Sequence, residues 1–191
     1  MDLLGLIGVL LGLGLLVWLA FRGWSVLVLA PLAAIVAAAF AGEPLLAHWT
    51  QPDVRRFLFD GAALSGVEVA ETIEESIGDF AARGFGVWLI ELGSAADLIG
   101  TAGLRPLGSS GLEIFYSLAP GAWGHGYATE AARAVVEYGL GPLGLPEVLA
   151  EVDEGNAGSV AVVRRLGMTP YAVVPGLLGP MTRYRTTGST A

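Results

Sequence analysis

The chain begins with two uncharged apolar runs and then changes texture. Residues 3–21, LLGLIGVLLGLGLLVWLAF, and residues 24–41, WSVLVLAPLAAIVAAAFA, are separated only by Arg22 and Gly23. A helix needs about 20 apolar residues to cross a bilayer, and each run is close to that. Trp18, Phe21 and Trp24 crowd the junction, where aromatic rings favour the membrane–water boundary. Arg22 can extend its charge into water there. The pattern predicts a transmembrane helical hairpin over residues 1–42, with Pro31 tolerated in the second helix. A signal peptide would need a basic leading segment, whereas Asp2 stands there. A buried hairpin inside a soluble protein is the other reading. Arg55 and Arg56 follow the second run, which favours both ends in the cytoplasm.

From Glu43 to residue 187 the pattern predicts a separate domain of short alternating elements, leaving 188–191 as a disordered tail. Val69, Ile73, Ile77 and Phe80 recur at helical spacing within residues 68–84, and Gly84 stands where that helix should stop. Glu71, Glu74, Glu75 and Asp79 fall on its other face, the ordinary place for solvated charge. Strands are expected over 85–92, within 96–107 and over 111–118, separated by turns such as Gly108-Ser109-Ser110-Gly111, as in an antiparallel meander. A helix to about Tyr138, a strand over 147–154, a short helix over 156–168 and a closing strand pair complete the pattern. The fold class is α/β with a mixed sheet.

Composition narrows the chemistry. All ten basic residues are Arg, so there is no phosphate-loop Lys and no Schiff-base Lys. The net charge of −8 without a basic tract excludes nucleic acid as the expected partner. With no Cys there is no thiolate nucleophile or thiolate zinc site. His48 and His125 are too few and too distant to suggest a metal centre, so no metal is expected.

The most informative stretch is GAWGHGYATEAARAVV, residues 121–136. Gly124 and Gly126 stand just where a helix begins. A helix N-terminus offers unpaired N–H groups and the positive end of its dipole. Glycine lets an anion approach the backbone closely, so the arrangement suits a phosphate-bearing ligand. An ordinary loop-to-helix turn is the plain alternative. A dinucleotide-binding fingerprint fits poorly, since Thr129 occupies its third glycine position and a meander precedes it.

WGHGYATEAARAVVEYG followed by NAGSVAVVRRLGM resembles the GNAT acetyltransferase superfamily, in the branch similar to the ribosomal-protein N-acetyltransferases RimJ and RimL, over residues 45–187. The resemblance implies an acetyl-CoA-dependent N-acetyltransferase acting on a primary amine, either a protein N-terminus or a small molecule. It implies that Trp123, Gly124, His125, Gly126, Tyr127, Ala128 and Thr129 bind the coenzyme A pyrophosphate, mainly through backbone N–H groups. Phe115, Ser117 and Leu118 would pair with the pantetheine arm, Asn156 would sit beside it, and Tyr116 would shape the acceptor pocket. Many members have a Tyr seven residues after that Asn as general acid. Val163 stands there, which leaves Ser159 as the candidate to protonate the leaving thiolate. Glu113 is the candidate carboxylate to take the amine proton, against the alternative of an exposed strand carboxylate.

The family's first strand has no counterpart before LLAHWTQPDVRRFLFDG, residues 45–61. Residues 1–51 instead resemble the start of a gluconate permease of the GntP type. The expected protein is thus a GNAT domain lacking its first strand, held by residues 3–41 at the inner membrane with its catalytic part in the cytoplasm. If the front segment does not belong to it, the domain is a soluble cytoplasmic one. An unpaired sheet edge would invite oligomerisation. The alternative is a non-enzymatic permease-derived fragment carrying a defective GNAT domain.

Overall fold

A computed structural model describes residues 42–93 and 97–187. The hairpin expected over 1–42 lies outside these residues except for its last position, and the tail at 188–191 lies wholly outside them. Among the described residues no helix is long and apolar enough to cross a membrane.

The described chain starts in a helix, α1, running to residue 49. A helical turn at Pro52–Arg55 leads to α2, Gly66–Arg83. There follow β1, Val87–Leu92, β2, Asp97–Pro106, and β3, Leu112–Leu118. Helix α3, Tyr127–Leu140, connects to β4, Glu147–Asp153. Helix α4, Ala157–Arg165, precedes β5, Thr169–Gly176, and β6, Gly179–Thr187.

Helix α2 starts two residues earlier than the apolar spacing predicts, because its start is set by a cap. The Ser65 hydroxyl accepts from the Glu68 N–H while the Glu68 carboxylate accepts from the Ser65 N–H, an exchange worth about 1 kcal/mol. Gly84 closes the helix in the left-handed conformation, at φ 76°. Glu71, Glu74 and Glu75 are exposed, while Asp79 pairs with Arg83 one turn on. Ile77, expected on the buried face, is 40% exposed. It lines a shallow apolar groove with Leu45, Trp49, Phe80, Val87 and Leu89. The groove lies against β1, whose outer edge pairs with no described strand.

The sheet order is β1-β2-β3-β4-β6-β5. All neighbours are antiparallel except β3 and β4, which are parallel and meet at one register pair, Glu113 with Leu149. Beyond that pair the two strands diverge. Each face of the sheet is covered. Val135 and Val136 of α3 and Val162 and Val163 of α4 pack with Leu104, Ile114, Val148, Ala150 and Val152 on one face. Leu45 and Trp49 of α1, Val69 of α2, and Val54 and Leu58 pack with Phe115 on the other. Strand β3 serves both cores through its period of two. Ile114 and Tyr116 face α3 and α4, and Phe115 faces α1.

Candidate active site

The glycine loop stands at the open end of the β3–β4 divergence. After Leu118 a short 3-10 turn, Pro120–Ala122, redirects the chain. The Trp123 indole N–H donates to the Leu118 carbonyl at 2.8 Å and pins the loop to the strand end. Gly124 and Gly126 have φ of 77° and 88°, where side chains are disfavoured. At either position a Cβ would meet nothing within 4 Å, so the space beside the backbone is open. Gly126 is the N-cap of α3 and makes no side-chain cap. Its carbonyl receives the Thr129 and Glu130 N–H groups. The N–H groups from Gly124 to Ala128 meet no acceptor among the described residues. They form a row of free donors at the positive end of a helix dipole. The exposed His125 ring stacks on Tyr127, with centroids 5.6 Å apart.

The inner edge of β3 leads into this loop. Phe115, Ser117 and Leu118 are buried, and from Ile114 to Leu118 the side of β3 toward β4 has no strand partner. Across the divergence, the Asn156 side chain caps α4 by accepting from the Ser159 N–H at 3.1 Å. Ser159 is half-buried, and Val163 is wholly inside the core. The Tyr116 hydroxyl is closed off from solvent and makes no hydrogen bond of normal geometry among the described residues. Burial pushes its phenol up to about 12, and the neighbouring Ser159 hydroxyl offsets this only in part.

Glu113 is not the exposed strand carboxylate of the alternative reading. It is 4% exposed. Alternation along a strand suggests a solvated side chain only when one sheet face is bare, and here both are covered. Directly across the β2–β3 ladder, the Arg105 Nε donates to the Glu113 carboxylate at 2.7 Å. Arg105 also lies over the Phe115 ring, 4.8 Å from its centroid. Burial raises the Glu113 pKa, Arg105 lowers it in part, and the Glu151 charge adds to the rise. The carboxylate therefore sits at the closed end of the divergence, four residues or roughly 13 Å of strand from Ser117.

A raised carboxyl pKa gives stability a definite slope. Above the ordinary carboxylate range the unfolded chain has lost the Glu113 proton more completely than the folded one. Stability contributed by this residue therefore increases as pH falls through its folded pKa. Glu113→Gln removes that slope, so the variant gains on the wild type between pH 5 and pH 8 in urea midpoints. Parallel curves over that range would contradict the buried placement.

Sequence reasoning did not place His48, Thr101 or Arg105 at the site. His48 Nε2 lies 2.8 Å from the Ser117 hydroxyl, which lies 2.8 Å from the Thr101 hydroxyl. The Trp49 indole N–H reaches Thr101 at 3.4 Å. His48, Thr101 and Ser117 are all buried. The available signal was spacing: Leu45, His48 and Trp49 stand at i, i+3 and i+4 and share one helix face. Among the described residues no group of His, Asp and Glu could hold a metal ion.

Comparison with known proteins agrees with this geometry. The family model described as "Acetyltransferase (GNAT) domain" matches residues 36–169, beginning inside the second apolar run. The uncharacterized N-acetyltransferase YoaA of Bacillus subtilis is 32% identical over 142 residues, covering 69% of this chain and 76% of that protein. The uncharacterized protein YkkB of the same organism is 35% identical over 91 residues, covering 45% of this chain. That match spans about half of YkkB's own length, 53%. The fold is shared with yncA of Salmonella typhimurium, a putative acetyltransferase solved with its cofactor acetyl-CoA. There the TM-score is 0.63 at 15% identity, over 82% of this chain and 91% of that one. This chain belongs to the GNAT acetyltransferase family.

Proposed function

We propose that the chain transfers the acetyl group of acetyl-CoA to a primary amine, on a protein N-terminus or a small molecule, as in the RimJ/RimL-like branch. The observation that carries this reading is two sets of unpaired backbone groups lying one short turn apart. The unpaired inner edge of β3 ends at Leu118, and after the Pro120–Ala122 turn the free N–H groups from Gly124 to Ala128 follow. That length of polar backbone, open beside two glycines, suits an extended arm ending in a pyrophosphate.

In this reading the pyrophosphate lies on the loop from Trp123 to Thr129, with His125 and Tyr127 at its solvent side. The pantetheine arm pairs with the backbone of Phe115, Ser117 and Leu118, with Asn156 across the gap. The thioester then lies where β3 and β4 part. An unprotonated amine attacks its carbonyl carbon, the C–S bond breaks, and the sulfur takes a proton through Ser159, whose hydroxyl is resupplied from solvent. Tyr116, held neutral by burial, walls the pocket beside Ser159. Holding the two reactants together is itself a large part of such a rate enhancement. Glu113 supports the β2–β3 register through Arg105.

The apolar runs at 3–21 and 24–41, with their permease-like continuation to residue 51, would hold this domain at the inner-membrane surface. Recovery of the full chain in the soluble fraction without detergent would exclude that tether. The free β1 edge would be the place for any self-association. The reaction is tested with radiolabelled acetyl-CoA and a panel of primary amines. Label should appear in the amine product, and label left wholly in acetyl-CoA with a folded protein would overturn the reading.

A further inference from the structure

We propose that Ser117 and His48 form a buried relay that takes the proton from the acceptor amine, a role the sequence pattern gave to Glu113. The proposal rests on the transferase reading above.

Position is the first argument. Glu113 marks the closed end of the β3–β4 divergence, and its carboxylate is held by Arg105. Ser117 is on the open stretch, next to the strand end that Trp123 pins. Its side chain shares the sheet face of Phe115, turned toward α1 and away from α3 and α4. A thioester lying between the strands has two faces. The glycine loop and α3 bring the cofactor from one side, which leaves the α1 side for the attacking amine. On that side the Ser117–His48 pair is buried at the open end, while Glu151, paired with Arg183, and Asp153 stand half-buried on β4 across the gap.

Chemistry is the second argument. An alkyl ammonium must shed a proton to attack, and a lone hydroxyl is too weak a base to take it. A hydroxyl 2.8 Å from an imidazole nitrogen can pass a proton on. Burial lowers the His48 pKa, and no charged group among the described residues adds to or opposes that shift. On the same sheet face Arg105 pairs with Glu113 and Arg183 pairs with Glu151, so these charges are each neutralised by a partner. His48 is therefore a free base at neutral pH. Its other ring nitrogen, Nδ1, is buried without a hydrogen-bond partner. A purely structural histidine would normally satisfy both nitrogens, because an orphaned buried polar atom costs about 1–3 kcal/mol. Thr101, steadied by Trp49, holds the Ser117 hydroxyl in place and is a positioning residue.

The step balances. As the amine nitrogen bonds to the carbonyl carbon, its proton passes to the Ser117 Oγ. The Ser117 proton passes to His48 Nε2, which becomes an imidazolium. The C–S electron pair leaves with sulfur, which is protonated through Ser159. His48 returns its proton through the Ser117 hydroxyl to the vacated acceptor pocket as the amide product departs.

The test uses the full chain with acetyl-CoA and two acceptor probes, an alanine-initiated peptide and putrescine, from pH 4.5 to pH 9. Ser117→Ala and His48→Gln should each lower kcat by 100-fold or more. The acetyl-CoA dissociation constant should not move. The double variant should be no slower than either single one, as for groups acting as a unit. The acid limb of the kcat profile should also lose its histidine inflection. Unchanged affinity for acetyl-CoA reports an intact fold. If His48→Gln does not fold, Ser117→Ala alone decides, since it removes one atom and leaves the backbone. Wild-type kcat and pH profile in Ser117→Ala would overturn the proposal, as would loss of the acid inflection in Glu113→Gln alone. A wild type that binds acetyl-CoA but acetylates neither probe would count against the transferase reading itself, and the relay would fall with it.

Discussion

Gly126→Asp should weaken acetyl-CoA binding by at least 100-fold, about 2.7 kcal/mol. Two effects add. Gly126 has φ 88°, a conformation that costs a side-chain-bearing residue about 1–2 kcal/mol. The larger effect is electrostatic. The new carboxylate would stand among the free N–H groups from Gly124 to Ala128 and bond to them itself. It would occupy the anion site and repel a pyrophosphate. Gly126→Ala separates the two effects, since it carries the strain without the charge and should lose no more than about 30-fold. Isothermal titration of the three proteins checks the order. Equal affinities for wild type and Gly126→Asp would mean that the loop does not hold the phosphates.

Gly100→Ala should unfold the chain at markedly lower temperature. Gly100 stands opposite Leu118 in the β2–β3 ladder. A Cβ there would lie 2.1 Å from the Ser117 carbonyl oxygen and 3.1 Å from the Leu118 Cα. Backbone cannot yield as a flexible side chain can, so the strands must part. Overpacking of this kind costs about 3 kcal/mol, or roughly 6–12 °C in Tm for a chain of this size. The damage falls on the stretch of β3 that carries Ser117 and leads into the glycine loop. Acetyl-CoA affinity should therefore fall together with Tm, as calorimetry can follow. A variant as stable as the wild type would contradict the close approach of these strands.

Local patterns made much of the fold legible. The alternation in LEIFYSL placed β3, and helical spacing with Gly84 placed the end of α2. The start of α2 was missed because Gly66 and Val67 carry no apolar periodicity, although the Ser65 and Glu68 pattern that sets it is in the chain. The glycine loop was legible because its demands are local: two positive φ values and a helix N-terminus within a few residues. What could not be read depends on distant partners. His48 and Ser117 are 69 positions apart, and nothing in LLAHW indicates which strand it will meet. The burial of Glu113 follows from helices on both sheet faces, and its tolerance from Arg105 across the hairpin. The parting of β3 from β4 is a property of the assembled sheet, visible only in their single register pair.

The most direct measurement is the thermal midpoint of the full chain in detergent as acetyl-CoA is added. A ligand at 100 times its dissociation constant adds about 2.7 kcal/mol of stability. The account predicts a midpoint that rises with acetyl-CoA concentration and does not rise in Gly126→Asp. A folded wild-type sample whose midpoint is indifferent to acetyl-CoA would contradict it.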